Sequence, residues 1–179
     1  MFKILKAKEP SDPLTGAAGS VAFLLAVNKP VYPLYLLFLA PSAFEVSLFT
    51  ALSLPLYLFV WGMARKGHSY PARLGIVIVG MIDTILISFL LGGDSGALLF
   101  LFACTILAGV VFYDDEKWVS RVLISVSFLA FLTLEGRVGP SVTAISASDM
   151  QTLYFINVSG VAALMGFIAL RLPRPAKQD

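Results

Sequence analysis

The sequence predicts an all-α integral membrane protein, a bundle of six transmembrane helices with both termini in the cytoplasm. Hydrophobic residues occupy 58% of the 179 positions, whereas soluble domains are about 45–50% apolar. Only 13% of the residues are charged, about half the usual share. The apolar residues form six runs, each near the roughly 20 residues that cross a bilayer as a helix. The expected spans are 16–40, 44–64, 72–91, 97–113, 119–134 and 151–170, between a tail at 1–15 and a tail at 171–179.

The first two predicted helices contain or adjoin prolines. In the span 16–40, Lys29, Pro30 and Pro33 interrupt an otherwise apolar run. Proline removes a backbone donor and kinks a helix, and membrane helices tolerate this when neighbouring groups satisfy the freed carbonyls. The span 44–64 follows almost at once, so the first two helices are expected to form a tight hairpin.

Polar segments separate the other four helices. RKGHSYP precedes the third helix, GGDSG turns the chain into the fourth, and DDEKW precedes the fifth. The loop 135–150 is the longest and leads into the sixth helix. An even number of crossings brings both termini to one side of the membrane.

The distribution of positive residues predicts which side that is. Cytoplasmic segments of membrane proteins carry an excess of lysine and arginine, and the far side of this chain has only Arg137. The N-terminus lacks the apolar core of a cleaved signal peptide, so we expect it to remain as a cytoplasmic tail. The positive residues on the side of the termini are Lys3, Lys6, Lys8, Arg65, Lys66, Arg73, Lys117, Arg121, Arg171, Arg174 and Lys177.

Several function classes lack the residues that they require. Cys104 and His68 are the only cysteine and the only histidine, which excludes an intrachain disulfide and a cysteine-based metal site. The sequence has no P-loop, GxSxG or HExxH motif. The net charge of +2 comes mostly from loops and tails. We therefore expect no enzymatic activity, no metal, no cofactor and no nucleic-acid partner.

Two opposite charges are predicted to lie at one depth in the membrane. Lys29 and Asp83 are each about 11–13 residues into a helix that runs outward from the cytoplasm, which is close to the midplane at 1.5 Å per residue. A charge at that depth is costly and normally has a partner, so the sequence predicts a Lys29–Asp83 ion pair. The pair serves either to fix helix register or to bind a ligand or couple an ion; in the third alternative the two groups reach water separately.

Other polar residues are candidates for the interior or for the outer rim. Each interior candidate is also a candidate for a helix–helix hydrogen bond: Asn28, Thr84, Ser88, Thr105 and Asn157. The charged residues at the outer ends line a mouth in one interpretation and form a solvated rim in the other: Glu45, Asp94, Glu135, Arg137 and Asp149.

Small residues at four-residue spacing allow close helix approach. In the sixth helix they lie on one face, which is a candidate dimer seam or a face for packing within the bundle. They are Ser159, Ala162, Ala163 and Gly166.

Two segments resemble known membrane modules. NKPVYPLYLL in the first helix resembles the Pro–x–Tyr-bearing first helix of six-helix receptor modules in bacterial quorum-sensing histidine kinases. FLLGGDSGALLFL (89–101) is similar to the Gly–x–x–Ser–Gly hairpin of the six-helix anchors that precede class III adenylate cyclases. The resemblance covers about residues 16–172. It implies a bacterial cytoplasmic (inner) membrane location, a dimer, and functional positions at Pro30, Tyr32, Asp94, Ser95 and Gly96.

These observations favour a sensor or anchor bundle that binds a small lipophilic ligand or senses the membrane state. The sequence ends eight residues after Arg171, so the expected cytoplasmic effector is not part of it. The alternatives are a non-catalytic accessory subunit of a larger membrane complex and a small transporter or channel. Expected partners are the lipid bilayer and either a second copy or other membrane subunits. The candidate ligand-binding residues are Lys29, Tyr32, Asp83, Asp94 and Ser95.

Overall fold

A computed structural model describes residues 12–171, and this part of the chain contains helices and no strands. It has seven α-helices, three of which are short. They are α1 (Pro13–Leu39), α2 (Phe44–Ser47), α3 (Leu54–Arg65), α4 (Ser69–Leu91), α5 (Phe100–Val110), α6 (Lys117–Leu134) and α7 (Ala147–Arg171). Single turns of 3-10 helix at Pro41–Ala43, Gly93–Ser95, Ala97–Leu99 and Asp114–Glu116, and a longer one at Leu48–Ser53, connect or extend them.

Five helical stretches are long and apolar enough to cross a membrane, which makes the chain a multi-pass membrane protein. A sixth apolar stretch, Ala97–Val110, is shorter. Large apolar side chains point outward along the bundle, among them Phe38 and Phe155, which are 80% and 71% exposed. Such side chains suit contact with lipid chains. The five long stretches are Pro13–Leu39, Pro41–Arg65, Ser69–Leu91, Asp114–Leu134 and Ala147–Arg171.

The first and last helices extend further than the sequence predicts. α1 begins at Pro13, where proline costs no hydrogen bond, and the carboxylate of Asp12 caps it by accepting from the Thr15 backbone N–H at 2.6 Å. α7 begins at Ala147 and includes Arg171. The remaining residues of the expected tails, 1–11 and 172–179, lie outside the described part of the chain.

The first two spans, both of which contain proline, differ in helical geometry. α1 continues through Pro30 and Pro33 without a break in its helical assignment. The second span instead alternates between α and 3-10 geometry. There, the hydroxyls of Ser47, Thr50 and Ser53 each donate to the carbonyl three residues earlier, which favours a tight turn. Serine and threonine side chains compete in this way with the regular helical ladder.

Small residues hold the first helices close together. A Cβ built on Gly19 of α1 would lie 2.9 Å from the Cβ of Ala64 in α3. The main apolar core lies between α1, α3, α4 and α5 and includes Val21, Val60 and Val77. α6 packs on α5, and Ser127 donates across that contact to the Leu101 carbonyl.

The loop between α6 and α7 covers the GGDSG turn. The Gly93 N–H donates to the Gly139 carbonyl, and the Val142 N–H donates to the Leu90 carbonyl. The loop and the turn are so close that a Cβ on Gly92 would lie 2.5 Å from the Ser141 backbone nitrogen. The loop therefore pairs backbone groups at this turn with partners from outside the flanking helices.

Candidate functional site

A buried ion pair lies between α1 and α4. The Lys29 ammonium contacts the Asp83 carboxylate, with 2.5 Å between Nζ and Oδ2. Each residue is only 7% exposed. The structure therefore brings together the two charges that the sequence predicts at one depth in the membrane.

A tyrosine from a third helix completes this group. The Tyr57 hydroxyl of α3 donates to Oδ2 of Asp83 at 2.8 Å. The Lys29 ammonium also lies 5.5 Å from the centre of the Tyr57 ring, which is within the range of a cation–π interaction. Asp83 thus accepts from two helices at once and joins α1, α3 and α4.

A cavity of about 420 Å³ lies beside the ion pair. Its wall contains the polar groups of Lys29, Tyr57 and Asp83, and most of its remaining surface is apolar. The cavity is only partly enclosed. Side chains from α1, α3, α4, α5 and α7 line it, with Leu24, Phe100, Cys104, Ile156 and Phe167 among the apolar or weakly polar ones.

A hydrogen-bond chain borders the cavity and leads toward GGDSG. The Tyr32 hydroxyl donates to Oδ1 of Asn157 at 3.0 Å. The Asn157 amide donates in turn to the Ser95 carbonyl at 2.9 Å. Tyr32 and Asn157 line the cavity, so this chain connects its wall to the turn between α4 and α5.

The structure separates the predicted ligand residues into two groups. Lys29, Tyr32 and Asp83 line the cavity, whereas Asp94 and Ser95 do not. Asp94 is exposed at the outer end, and the buried Ser95 hydroxyl donates to the Gly92 carbonyl. Their assignment came from the resemblance of GGDSG to the hairpin of adenylate cyclase anchors, and their geometry is that of a tight turn.

The other polar candidates also divide. Asn28, Thr84 and Asn157 line the cavity. Ser88 donates to the Thr84 carbonyl within α4, and Thr105 contacts Ser127 in α6. The outer charged residues do not line the cavity. Asp149 accepts two hydrogen bonds from Ser42, and the exposed members of this set are Glu45, Asp94, Glu135 and Arg137.

A second buried charge lies at the end of the bundle opposite the GGDSG turn. Arg73 of α4 is 3% exposed. Its guanidinium bonds to Asp12 at 3.0 Å and to Glu116 at 2.5 Å, and it lies 4.8 Å from the centre of the Tyr113 ring. In the sequence, Arg73 was assigned only to the positive residues of the cytoplasmic side, whereas in the structure it joins the start of α1 to the segment before α6.

The small-residue face of α7 is exposed. A Cβ on Gly166 would meet no atom within 4 Å, so this part of the face has no neighbour within the bundle. The same exposure holds for Ser159, Ala162 and Ala163.

In the described residues, no group of three or more histidine, cysteine, aspartate or glutamate side chains is arranged to hold a metal ion. The chain matches no protein-family model, no curated protein and no solved structure. The resemblance to receptor and cyclase-anchor modules thus gains no support from these comparisons.

Tyr57 is the main site residue that sequence reasoning missed. It lies eight residues before Arg65, and Asp83 lies ten residues after Arg73. At 1.5 Å per residue, the two side chains differ in depth by only about 3 Å. The depth comparison that matched Lys29 with Asp83 would also have found Tyr57.

Proposed function

We propose that this protein is a membrane-embedded sensor or anchor bundle that binds a small, largely apolar ligand and signals to a cytoplasmic effector. One observation carries the proposal: a cavity of about 420 Å³ with a buried ion pair in its wall. Ligand sites are typically concave, mostly apolar and about 300–1,000 Å³, with a few polar groups that fix orientation.

The ion pair supports a specific ligand chemistry. An ammonium has three N–H donors, and one of those of Lys29 is directed to Asp83. Its remaining donors are available to a carbonyl or hydroxyl oxygen of a ligand in the cavity. The ligand is therefore an apolar molecule with at least one hydrogen-bond acceptor.

The proposal includes six crossings, with both termini in the cytoplasm. The segment Ala97–Val110 begins beside the turn that contacts Asn157 and ends near Glu116, which contacts Arg73 at the opposite end. A passage between those two ends supports a sixth crossing despite its shortness. The positive-inside rule supports the orientation, and we assign the protein to a bacterial inner membrane on the resemblance alone.

Two adjacent alanines of α7 provide the test. Ala163 lines the cavity, and Ala162 does not; both are exposed. Ala163→Phe would fill the cavity, whereas Ala162→Phe would add a ring to the outer surface. Solvent extraction of the purified proteins, followed by mass spectrometry, should release a compound from the wild type and from Ala162→Phe but not from Ala163→Phe. Equal recovery from all three proteins would contradict the proposal.

The exposed small-residue face of α7 favours a second candidate function, that of an accessory subunit. Close helix contacts in membranes use such faces, and this one has free space at Gly166. In that case Ala162→Phe would change the oligomeric mass, and no compound would be released from any variant.

A further inference from the structure

A second cavity opens on the bundle at the end where α1 begins. It has a volume of about 350 Å³ and lies between the start of α1 and the ends of α3 and α7. Arg65 and Arg171 line one part of it, and Phe23, Leu24 and Val27 line another. We call this cavity the arginine groove.

The two arginines have no acidic partner among the described residues. Arg73, at the same end of the bundle, is paired with both Asp12 and Glu116. Arg65 and Arg171, by contrast, each lie over an aromatic ring, Trp61 at 5.7 Å and Phe167 at 5.3 Å. The arginine groove therefore presents two positive charges with no described carboxylate to neutralise them.

The length of the groove matches one leaflet of a bilayer. Along α1 it extends from Thr15 to Val27, which is about 18 Å at 1.5 Å per residue. Half of a hydrocarbon core of about 30 Å is about 15 Å. Gly16 lies at the charged end and Val27 at the apolar end, so polarity falls in the direction from headgroup to midplane.

We propose that the arginine groove binds an anionic phospholipid of the adjacent leaflet. The phosphate contacts Arg65 and Arg171, since guanidinium groups bind phosphate through paired, charge-assisted hydrogen bonds. An acyl chain lies along Phe23 and Val27. Gly16 and Ser20 also line the groove, and their small size leaves room for the chain against the helix.

The arginine groove adjoins the cavity of the ion pair. Leu24 and Phe167 line both. The bound acyl chain therefore contacts the same two side chains that border the inner cavity. The lipid site itself does not depend on what that cavity binds.

Fluorescence quenching by brominated lipids tests the proposal. The chain has two tryptophans; Trp61 lines the groove, and Trp118 is 69% exposed. Trp118→Phe leaves Trp61 as the reporter. The Trp118→Phe variant is placed in phosphatidylcholine vesicles that contain a small fraction of either dibrominated phosphatidylglycerol or dibrominated phosphatidylcholine. Two basic side chains near an anionic headgroup correspond to a preference of roughly 30-fold, so the anionic quencher should act at much lower mole fraction.

A charge-matched control separates a site from general attraction. Arg65→Gln with Arg171→Gln, in the Trp118→Phe background, should abolish the preference. Lys117→Gln with Arg121→Gln removes two exposed charges at the same end of the bundle and should retain it. Equal quenching by the two lipids in the parent protein would overturn the proposal. Loss of the preference in both double variants, or absence of quenching because a second chain covers the groove, would overturn it as well.

Discussion

At the scale of single residues, Lys29 and Asp83 depend on each other as a buried ion pair. Removing one partner of a buried ion pair leaves the other charge uncompensated, whereas replacing both with apolar groups is often nearly neutral. The Tyr57 hydroxyl contacts the carboxylate as well, so Asp83 is the more connected member of the pair.

A single and a double substitution test this pairing. Asp83→Asn should lower the free energy of unfolding by about 3–5 kcal/mol, because Lys29 then remains charged and unpaired. Adding Lys29→Met should recover much of that loss. Denaturant titration in mild detergent measures both variants, and the absence of recovery would show that the two charges do not stabilise each other.

Asp12 gives a prediction for pH dependence. Burial raises the pKa of this carboxyl, but hydrogen bonds from Thr15 and Ser69 and the charge of Arg73 outweigh burial and lower the pKa below 3.8. A carboxyl with a lowered folded-state pKa contributes stability above its unfolded value. That contribution declines as the pH falls through 3.8 and is lost below the folded-state pKa.

The measurement is the melting temperature as the pH is lowered from about 6 to about 3, a range that crosses the ordinary pKa of an aspartate carboxyl. The wild type should lose more stability over the acid part of that range than Asp12→Asn, which has no carboxyl to protonate. Parallel curves for the two proteins would mean that Asp12 does not contribute through its charge.

Depth arithmetic on the sequence was sufficient to match Lys29 with Asp83, because helix rise is constant and charges within a bilayer are few. It had no means of identifying Arg73 as buried, since a positive residue near a helix start is usually solvated. Burial of Arg73 depends on Asp12 and Glu116, which come from segments distant in sequence.

At the scale of helices, α1 and α3 depend on a close contact. A Cβ at Gly19 would lie 2.9 Å from the Ala64 Cβ, which is too close for unaltered packing. In the second span, serine and threonine hydroxyls bond to nearby backbone carbonyls, and the helix alternates between α and 3-10 geometry. The sequence had predicted one regular helix over 44–64, because only its prolines were considered.

Gly19→Ala should therefore lower stability by about 1–3 kcal/mol, the usual cost of overpacking. Gly62 of α3 is the matched control, because a Cβ there meets nothing within 4 Å. Gly62→Ala should be neutral or stabilising, since alanine favours helix over glycine by about 1 kcal/mol. Thermal unfolding in one detergent compares the two, and equal effects would contradict a specific α1–α3 contact.

At the scale of the whole molecule, the all-helical, multi-pass architecture could be read from composition and spacing, because the bilayer sets the length of a span. The number of spans could not be fixed in this way, since five stretches are long enough to cross a membrane and Ala97–Val110 is shorter. The cavity could not, since it depends on how α7 packs beside α1 and α4 above a polar pair. The cavity also separates the functional alternatives. A scaffold needs only a packed interior and an outer surface, whereas a sensor needs a space that a ligand occupies.

The most direct test is native mass spectrometry of the protein extracted gently from its own membrane. The proposed function predicts a reproducible small-molecule adduct other than a phospholipid, present in the wild type and in Ala162→Phe and absent from Ala163→Phe. Bare chains, or a stoichiometric complex with unrelated subunits and no adduct, would contradict it.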